Sequence, residues 1–259
     1  MKKVVVLLSL MIPLLWSCNI ENLDDPIIVG NVEDEIYLDL FEELSLPNRG
    51  LTLRMETIEM EDCLNATLET DHTRGPTRLS LEILQVLPPG ECDLGLAPAK
   101  GVEEVGILAN TNYSFLVNIR NTVDSEGTLE VTEDAIRLSF PTENGFRLRT
   151  PELLRIPDDL IWGYVEIPAT GNEAGAREII EEIGAIAENH TLIQGYYGYF
   201  QTDNQGEFFI IENNPDRQHL SYGFKYSASE TELINKLASL RSIYTDYPIF
   251  LLNQKGEQL

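Results

Sequence analysis

Residues 36–150 show a regular alternation of apolar and polar side chains. The stretches 51–60 and 113–119 repeat with a period of two, and residues 78–84 and 135–140 follow the same rule. Clusters of Gly, Pro, Asn and Asp separate these stretches. Short alternating runs bounded by turn residues are typical of strands that bury one face, so this part of the chain is predicted to be an all-β sandwich.

The pattern changes after residue 150. Pro151 and Pro157 bracket a short segment that we interpret as a linker. Beyond it, helical stripes alternate with strand-like runs, which predicts a second, α+β domain over residues 158–259. Its elements are a strand at 160–167, a helix at 172–189, strands at 191–201 and 207–212, a helix at 229–244 and a strand at 247–252, with 220–226 as a candidate extra strand. This β-α-β-β-α-β order resembles the ferredoxin-like split βαβ fold.

A local motif supports the sandwich. Ile107 is an apolar residue six positions before Tyr113, and Tyr113 begins a strand-like run. The motif resembles the tyrosine corner of immunoglobulin-like and fibronectin-like domains, in which the tyrosine hydroxyl bonds to the backbone upstream. The resemblance implies an immunoglobulin-like sandwich over residues 36–150, and it implies no activity.

The N-terminus has the composition of an export signal. A short basic start precedes an apolar run over residues 4–15, and a helix of this length reaches only about 18 Å, too short for a bilayer core of about 30 Å. The run ends in Leu15-Trp16-Ser17-Cys18, which resembles the lipobox of bacterial lipoproteins. The resemblance implies removal of a signal peptide, residues 1–17, and a lipid on Cys18. Trp16 departs from the small residue usual at its position, and the alternative is an ordinary secretory signal with a chance cysteine.

The charge restricts the partners. Asp and Glu number 43 against 18 Lys and Arg, a formal charge of −25. Nucleic acid is excluded as a partner because binding it requires cations, and attachment to anionic lipid through a basic patch is disfavoured. Residues 18–35 are polar and acidic, which predicts a tether, and some surface lipoproteins have similar acidic residues after their lipidated cysteine. We therefore expect a cell-envelope protein, at the outer membrane or cell surface, held by the Cys18 lipid.

The two remaining cysteines allow a single pairing. Exported proteins meet an oxidising compartment, so we predict a Cys63–Cys92 disulfide. Such a bridge would stabilise the fold by about 3–4 kcal/mol in the chain-entropy account. The alternative is a pair of free, buried thiols.

No familiar catalytic or metal-binding motif is present. The three histidines lack metal-ligand spacing, and no nucleophile motif accompanies them. Asp216 and His219 lie in one polar loop and are candidates for a general-base couple, with an ordinary polar connection as the alternative. No metal site or cofactor is assigned. Ca²⁺ is the one candidate ion, at the acidic runs Glu33-Asp34-Glu35 with Asp39, Glu42 and Glu43, and at Asp203-Asn204-Gln205-Gly206-Glu207, although neither run has EF-hand spacing.

Aromatic residues mark a candidate ligand face. Trp162 and Tyr164 alternate on one side of the strand at 160–167, and Tyr197 and Tyr199 alternate in the strand at 191–201. The helices of a split βαβ domain cover only one sheet face, which leaves the other for these rings, with Tyr196 and Phe200 as the alternative pair from the second strand. Such a face can stack on sugars or peptides, or it can pack against the sandwich.

Three classes of function follow. The first is a non-enzymatic binding or assembly role at the envelope, with a protein, peptide or glycan partner, and the absence of a catalytic motif favours it. The second is an envelope hydrolase acting on polysaccharide or peptide. The third is a protease-inhibitor or chaperone-like module, which an unpaired edge strand near the C-terminus would favour.

Overall fold

The computed structural model describes residues 33–44, 49–212 and 217–259. The predicted signal peptide, Cys18 and most of the predicted tether lie outside these ranges. Ten strands form the N-terminal part, and the alternating pattern does produce the predicted all-β structure there. They are β1 (Ile36–Glu43), β2 (Gly50–Cys63), β3 (Thr67–Arg74), β4 (Arg78–Leu87), β5 (Leu94–Gly106), β6 (Asn112–Ile119), β7 (Val123–Val131), β8 (Ala135–Ser139), β9 (Phe146–Thr150) and β10 (Glu152–Leu154).

All ten strands belong to one sheet that nearly closes on itself. The strand order is β10-β8-β7-β6-β4-β3-β5-β2-β1-β9. β9 runs parallel to β1 at one end of this order, and β10 runs antiparallel to β8 at the other. Only Pro151 separates β9 from β10, so one bent segment covers both edges of the sheet. The apolar side chains of the strands form a single interior core.

The local geometry in β6 matches the tyrosine-corner motif. Tyr113, Phe115, Val117 and Ile119 alternate with more exposed residues and are buried. The Tyr113 hydroxyl donates to the Ala109 carbonyl at 3.2 Å and accepts from its N–H at 3.0 Å. This ring therefore fixes the entry of the chain into β6.

The remaining elements form a smaller α+β part. They are β11 (Leu160–Glu166), α1 (Glu173–Gly184), β12 (Gly195–Tyr196), β13 (Phe200–Thr202), β14 (Phe208–Ile210), β15 (His219–Lys225), α2 (Glu230–Ile243) and β16 (Ile249–Leu252). Both predicted helix starts are present: Asn172 accepts from the Gly175 N–H, and Ser229 accepts from the Glu232 N–H. The apolar stripes of both helices pack on one face of the β15-β11-β16 sheet.

The predicted ferredoxin-like sheet is wrong. The hairpin expected to join it forms a separate sheet, β12-β13-β14, and the candidate extra strand becomes β15, beside β11. The predicted strand at 191–201 is interrupted at Gly198, whose φ of +82° is in the left-handed region, and the Tyr197 N–H bonds to the Phe200 carbonyl there. β15, α2 and β16 make a single split β-α-β unit around β11, since both strands run antiparallel to β11.

The segment read as a linker is part of the core. β10 lies within it, and Leu153, Leu154 and Ile156 are buried. The described residues belong to one compact unit. The division into residues 36–150 and 158–259 stays a prediction about sequence organisation.

The cysteine pairing is as predicted. The sulfurs of Cys63 and Cys92 lie at bonding distance, 2.00 Å, and join the end of β2 to the turn before β5. The structure therefore contains the disulfide rather than two free thiols.

Candidate functional site

The aromatic residues predicted as a ligand face lie in a core. Trp162 is 1% exposed and Tyr197 is 3% exposed. Trp162 packs on Phe200 with ring centroids 5.5 Å apart, and Tyr197 stacks on Phe200 at 4.9 Å. This burial corrects the expectation of an open face, because the rings fill the space between β11, the β12-β13-β14 sheet and the ten-stranded sheet.

Tyr199 and Tyr164 occupy the margins of this core. The Tyr199 ring contacts Phe41 of β1 at 4.9 Å, and its hydroxyl accepts from the Leu44 N–H at 3.4 Å. Burial raises the pKa of Tyr199 to about 12, so its hydroxyl stays protonated. Tyr164 stacks on Phe250 at 4.8 Å and lies 5.4 Å from the His219 ring. The aromatic residues therefore pack towards the ten-stranded sheet, which is the second of the two alternatives predicted from the sequence.

A groove of about 1080 Å³ lies beside this core. One wall is α1, the other is the β14 strand with its preceding turn, and β15 forms the floor. The side chains that define its walls and floor are Arg177, Ile180, Glu181, His190, Glu207, Phe208, Ser221 and Phe224. Concave sites of this size between secondary elements are the usual places for ligand binding.

The floor is an unpaired strand edge. On the side of β15 away from β11, Lys225 and Glu188 exchange both backbone hydrogen bonds, at 2.8 and 2.9 Å. Main-chain groups alternate sides along an antiparallel strand, so Gly223, Ser221 and His219 direct their N–H and C=O groups the same way. On this side no described residue bonds to the main chain of Ser221 or Gly223. The groove therefore presents free backbone donors and acceptors.

The β14 wall is held close to the floor by a glycine. A Cβ on Gly223 would come 2.0 Å from Cζ of Phe208, so the Phe208 ring lies directly against the strand backbone. His190 packs edge-on against the same ring, with centroids 4.8 Å apart. This packing fixes the aromatic wall of the groove.

His190 is one of the two histidines that line the groove, and it is partly buried. Burial lowers its pKa below the ordinary value, and a hydrogen bond with the Gly206 backbone partly opposes that shift. Its Nδ1 accepts from the Leu192 N–H at 3.3 Å. The ring is therefore neutral near pH 7 and supports the turn leading into the groove wall.

The groove wall carries two carboxylates without an ion-pair partner among the described residues, Glu181 and Glu207. Its one guanidinium, Arg177, is paired with Glu173 one helical turn away. The lining therefore favours a ligand with cationic groups.

The predicted couple of Asp216 and His219 stays a prediction. Asp216 lies outside the described residues, and Nδ1 of His219 lies 3.0 Å from the Arg217 carbonyl. In the described part of the chain, the one imidazole paired with a carboxylate is His72, 2.7 Å from Glu103 on the surface of the large sheet and away from the groove.

The candidate Ca²⁺ run that begins at Asp203 forms a hydrogen-bonded turn. The Asp203 carboxylate accepts from the N–H groups of Gln205 and Glu207, at 2.8 and 2.9 Å, and so caps its own turn. Residues 33–44, 49–212 and 217–259 contain no group of three or more His, Cys, Asp or Glu side chains placed to hold a metal ion. Within the same ranges, neither helix is long and apolar enough to cross a bilayer.

Sequence reasoning missed most of this groove. It identified His219 as a candidate and residues 220–226 as an extra strand, but it left His190 just outside the helix predicted at 172–189 and placed Phe208 in a strand of the predicted sheet. The alternating run at 219–225 could have predicted this strand, but such a pattern does not show which elements lie beside it.

No protein family, curated protein or solved structure matches this chain.

Proposed function

We propose that this protein is a lipid-anchored envelope protein that binds an extended segment of a partner protein along the free edge of β15. The observation that carries the proposal is the unpaired main chain of Ser221 and Gly223 on the floor of the groove. A peptide strand added there would extend the sheet, a mode of recognition in which main-chain hydrogen bonds supply affinity. This edge strand lies near the C-terminus, and it agrees with the binding class and with the chaperone-like or inhibitor class.

The groove walls give such a peptide its specificity. Successive side chains of a bound strand would point alternately towards α1 and towards β14. Ile180 and Phe208 offer apolar contacts, one on each wall, while Glu181 and Glu207 offer negative charge. The favoured partner is an extended segment that combines apolar residues with Lys or Arg.

A proline substitution tests the edge directly. Because the Ser221 N–H points away from β11, Ser221→Pro removes a groove donor without removing a hydrogen bond within the sheet. Random twelve-residue peptides displayed on phage would be selected on the purified full chain, and binding of a selected peptide would be measured by fluorescence anisotropy. We expect Ser221→Pro to weaken binding at least about tenfold, and Ser221→Ala, which keeps the N–H, to bind like the parent.

Amide exchange provides a second readout. Bound peptide should slow hydrogen exchange at the Ser221 and Gly223 amides of the unsubstituted chain. Equal binding by both variants, or unchanged exchange at these amides, would contradict docking on the β15 edge.

The anchor needs a separate test, since Cys18 lies outside the described residues. Expression of the full chain in a bacterium fed an alkyne fatty acid should label the protein, and Cys18→Ala should abolish the label. Labelling that survives Cys18→Ala would reject the lipobox while leaving the groove proposal standing.

We also infer that residues 36–150 are related to immunoglobulin-like domains, although their strands belong to one nearly closed sheet rather than to two separate sheets. The Tyr113 hydroxyl bonds to Ala109 support that inference, because a tyrosine corner is a hallmark of that class. This assignment concerns the scaffold of the protein and implies no activity.

A further inference from the structure

The ends of β2 and β5 form a two-stranded ribbon. β1 pairs with β2 as far as Thr57, and β3 meets β5 at the single pair Thr67 and Lys100. Residues 60–63 and 94–98 therefore pair only with each other among the described strands. The ribbon extends past the rest of the ten-stranded sheet.

Covalent and polar ties hold the tip of the ribbon. The Cys63–Cys92 disulfide joins its two sides. The Asn65 side chain donates to the Glu91 carbonyl at 2.9 Å and accepts from the Asp93 N–H at 3.1 Å. An isolated two-stranded ribbon is marginal in water, so these ties preserve a shape that its own pairing would not.

The ribbon exposes large apolar side chains. Leu94 is 89% exposed, Leu96 is 70% exposed and Met60 is 62% exposed. Leu64, also exposed, lies at the same tip over Gly95. A cluster of exposed apolar residues on a rigid projection is a feature of interaction surfaces rather than of a solvated turn.

The same tip is uniformly acidic. Residues 59–66 and 88–99 contain no Lys or Arg. Their five carboxylates make no ion pair with a described residue: Glu59, Glu61, Asp62, Glu91 and Asp93. The apolar tip is therefore surrounded by unneutralised negative charge.

We propose that this stapled ribbon, defined by residues 59–66 and 91–98, inserts into an apolar recess rimmed by Lys or Arg on a partner protein. Opposite charges at the rim would favour this partner over others. A second copy of a chain with charge −25 would place like charges together, and an anionic bilayer would repel the five carboxylates. The surface is separate from the β15 groove, so the two proposals fail independently.

Site-specific photo-crosslinking in the native host tests the insertion. p-Benzoylphenylalanine would replace Leu94 or Leu96 in the full chain, with exposed Ile243 of α2 as the control position. We expect a light-dependent protein adduct of one size from positions 94 and 96 and none from 243. Mass spectrometry of the adduct should place the crosslink in an apolar segment of the partner flanked by Lys or Arg.

Charge variants complete the test. The triple variant Glu61→Gln, Asp62→Asn, Asp93→Asn should reduce the adduct about fivefold, because it removes charge complementarity at the rim. A matched triple, Glu104→Gln, Glu133→Gln, Asp246→Asn, removes equal charge from exposed sites elsewhere and should leave the yield unchanged. A lipid adduct, a dimer adduct, no adduct, or equal loss in both triple variants would overturn the proposal.

Discussion

Both Nε and Nη2 of Arg155 contact one carboxylate oxygen, Oε1 of Glu42, at 2.9 and 2.8 Å. The other oxygen, Oε2, has no hydrogen-bond partner among the described residues, although Nη1 of Arg49 lies 3.8 Å away. Glu42 is buried at the end of β1, and Arg155 follows β10. The pair therefore fastens the segment between the two parts of the fold to the large sheet.

Removal of one partner of this pair should destabilise the protein strongly. Arg155→Met leaves a buried carboxylate without its main counter-charge, and we expect the free energy of unfolding to fall by about 3–5 kcal/mol. The double variant with Glu42→Met should recover most of that loss, since the buried carboxylate is then removed as well. Urea unfolding of the single and double variants measures both values, and additive losses would contradict the coupling.

Trp162 should behave as a core residue. In a Trp16→Phe variant, where Trp162 is the one remaining indole, its emission should be blue-shifted and protected from acrylamide, because the ring is packed against Phe200 and Tyr199. Trp162→Ala should lower the free energy of unfolding by about 3–5 kcal/mol through the cavity it leaves. Phe209→Ala, at a partly exposed ring on β14, is the matched control and should cost much less. Strong quenching of Trp162 in the folded protein would contradict this packing.

The Cys63–Cys92 bridge should protect the ribbon more than the sheet. Replacement of both cysteines by Ala should cost about 3 kcal/mol, because the bridge closes a loop with a sequence separation of 29. Amide exchange should accelerate first at residues 60–66 and 92–98 and only later in β6. Uniform acceleration throughout the sheet would show that the bridge acts globally instead.

Acid should destabilise the fold partly through His190. The pKa of His190 in the folded protein lies below 6.5, so on acidification the unfolded chain binds a proton at His190 before the folded protein does. The stability contributed by neutral His190 is fully present above about pH 6.5 and is lost as the pH falls towards the folded pKa. NMR titration of the His190 ring, assigned by the resonance missing from His190→Gln, should give a midpoint below 6.5. A midpoint at or above 6.5 would contradict the effect of burial.

The sequence patterns correctly predicted features that depend on residues close together in the chain or on residue type alone. Alternation in β6 identified its buried residues, the caps at Asn172 and Ser229 followed from residue type and spacing, and two cysteines allowed one bridge. Pairing between strands was not predictable in this way. Period-two patterns show which side of a strand is buried, and they contain no information on which strand lies beside it.

The errors arose where distant contacts decide the structure. Trp162 was a candidate for an open face because the rings that cover it, Tyr199 and Phe200, are far away in sequence. Gly198 was read within a continuous strand, although its positive φ bends the chain so that Phe200 enters the core. Pro151 was read as the mark of a linker, and it instead separates two paired strands.

The two edge strands of the large sheet, β9 and β10, flank Pro151 and are the last strands of that sheet to be synthesised. The sheet is therefore complete only after both of them have folded. Arg147 of β9 reaches Asp34, just before β1, across 113 residues of sequence. A chain released only as far as β8 would therefore leave both outer strands, β1 and β8, without the neighbours that cover them. Cleavage of the chain at Pro151 would separate the strand that covers β1 from the strand that covers β8, so the ten-stranded sheet would lose the direct covalent link between its two edges.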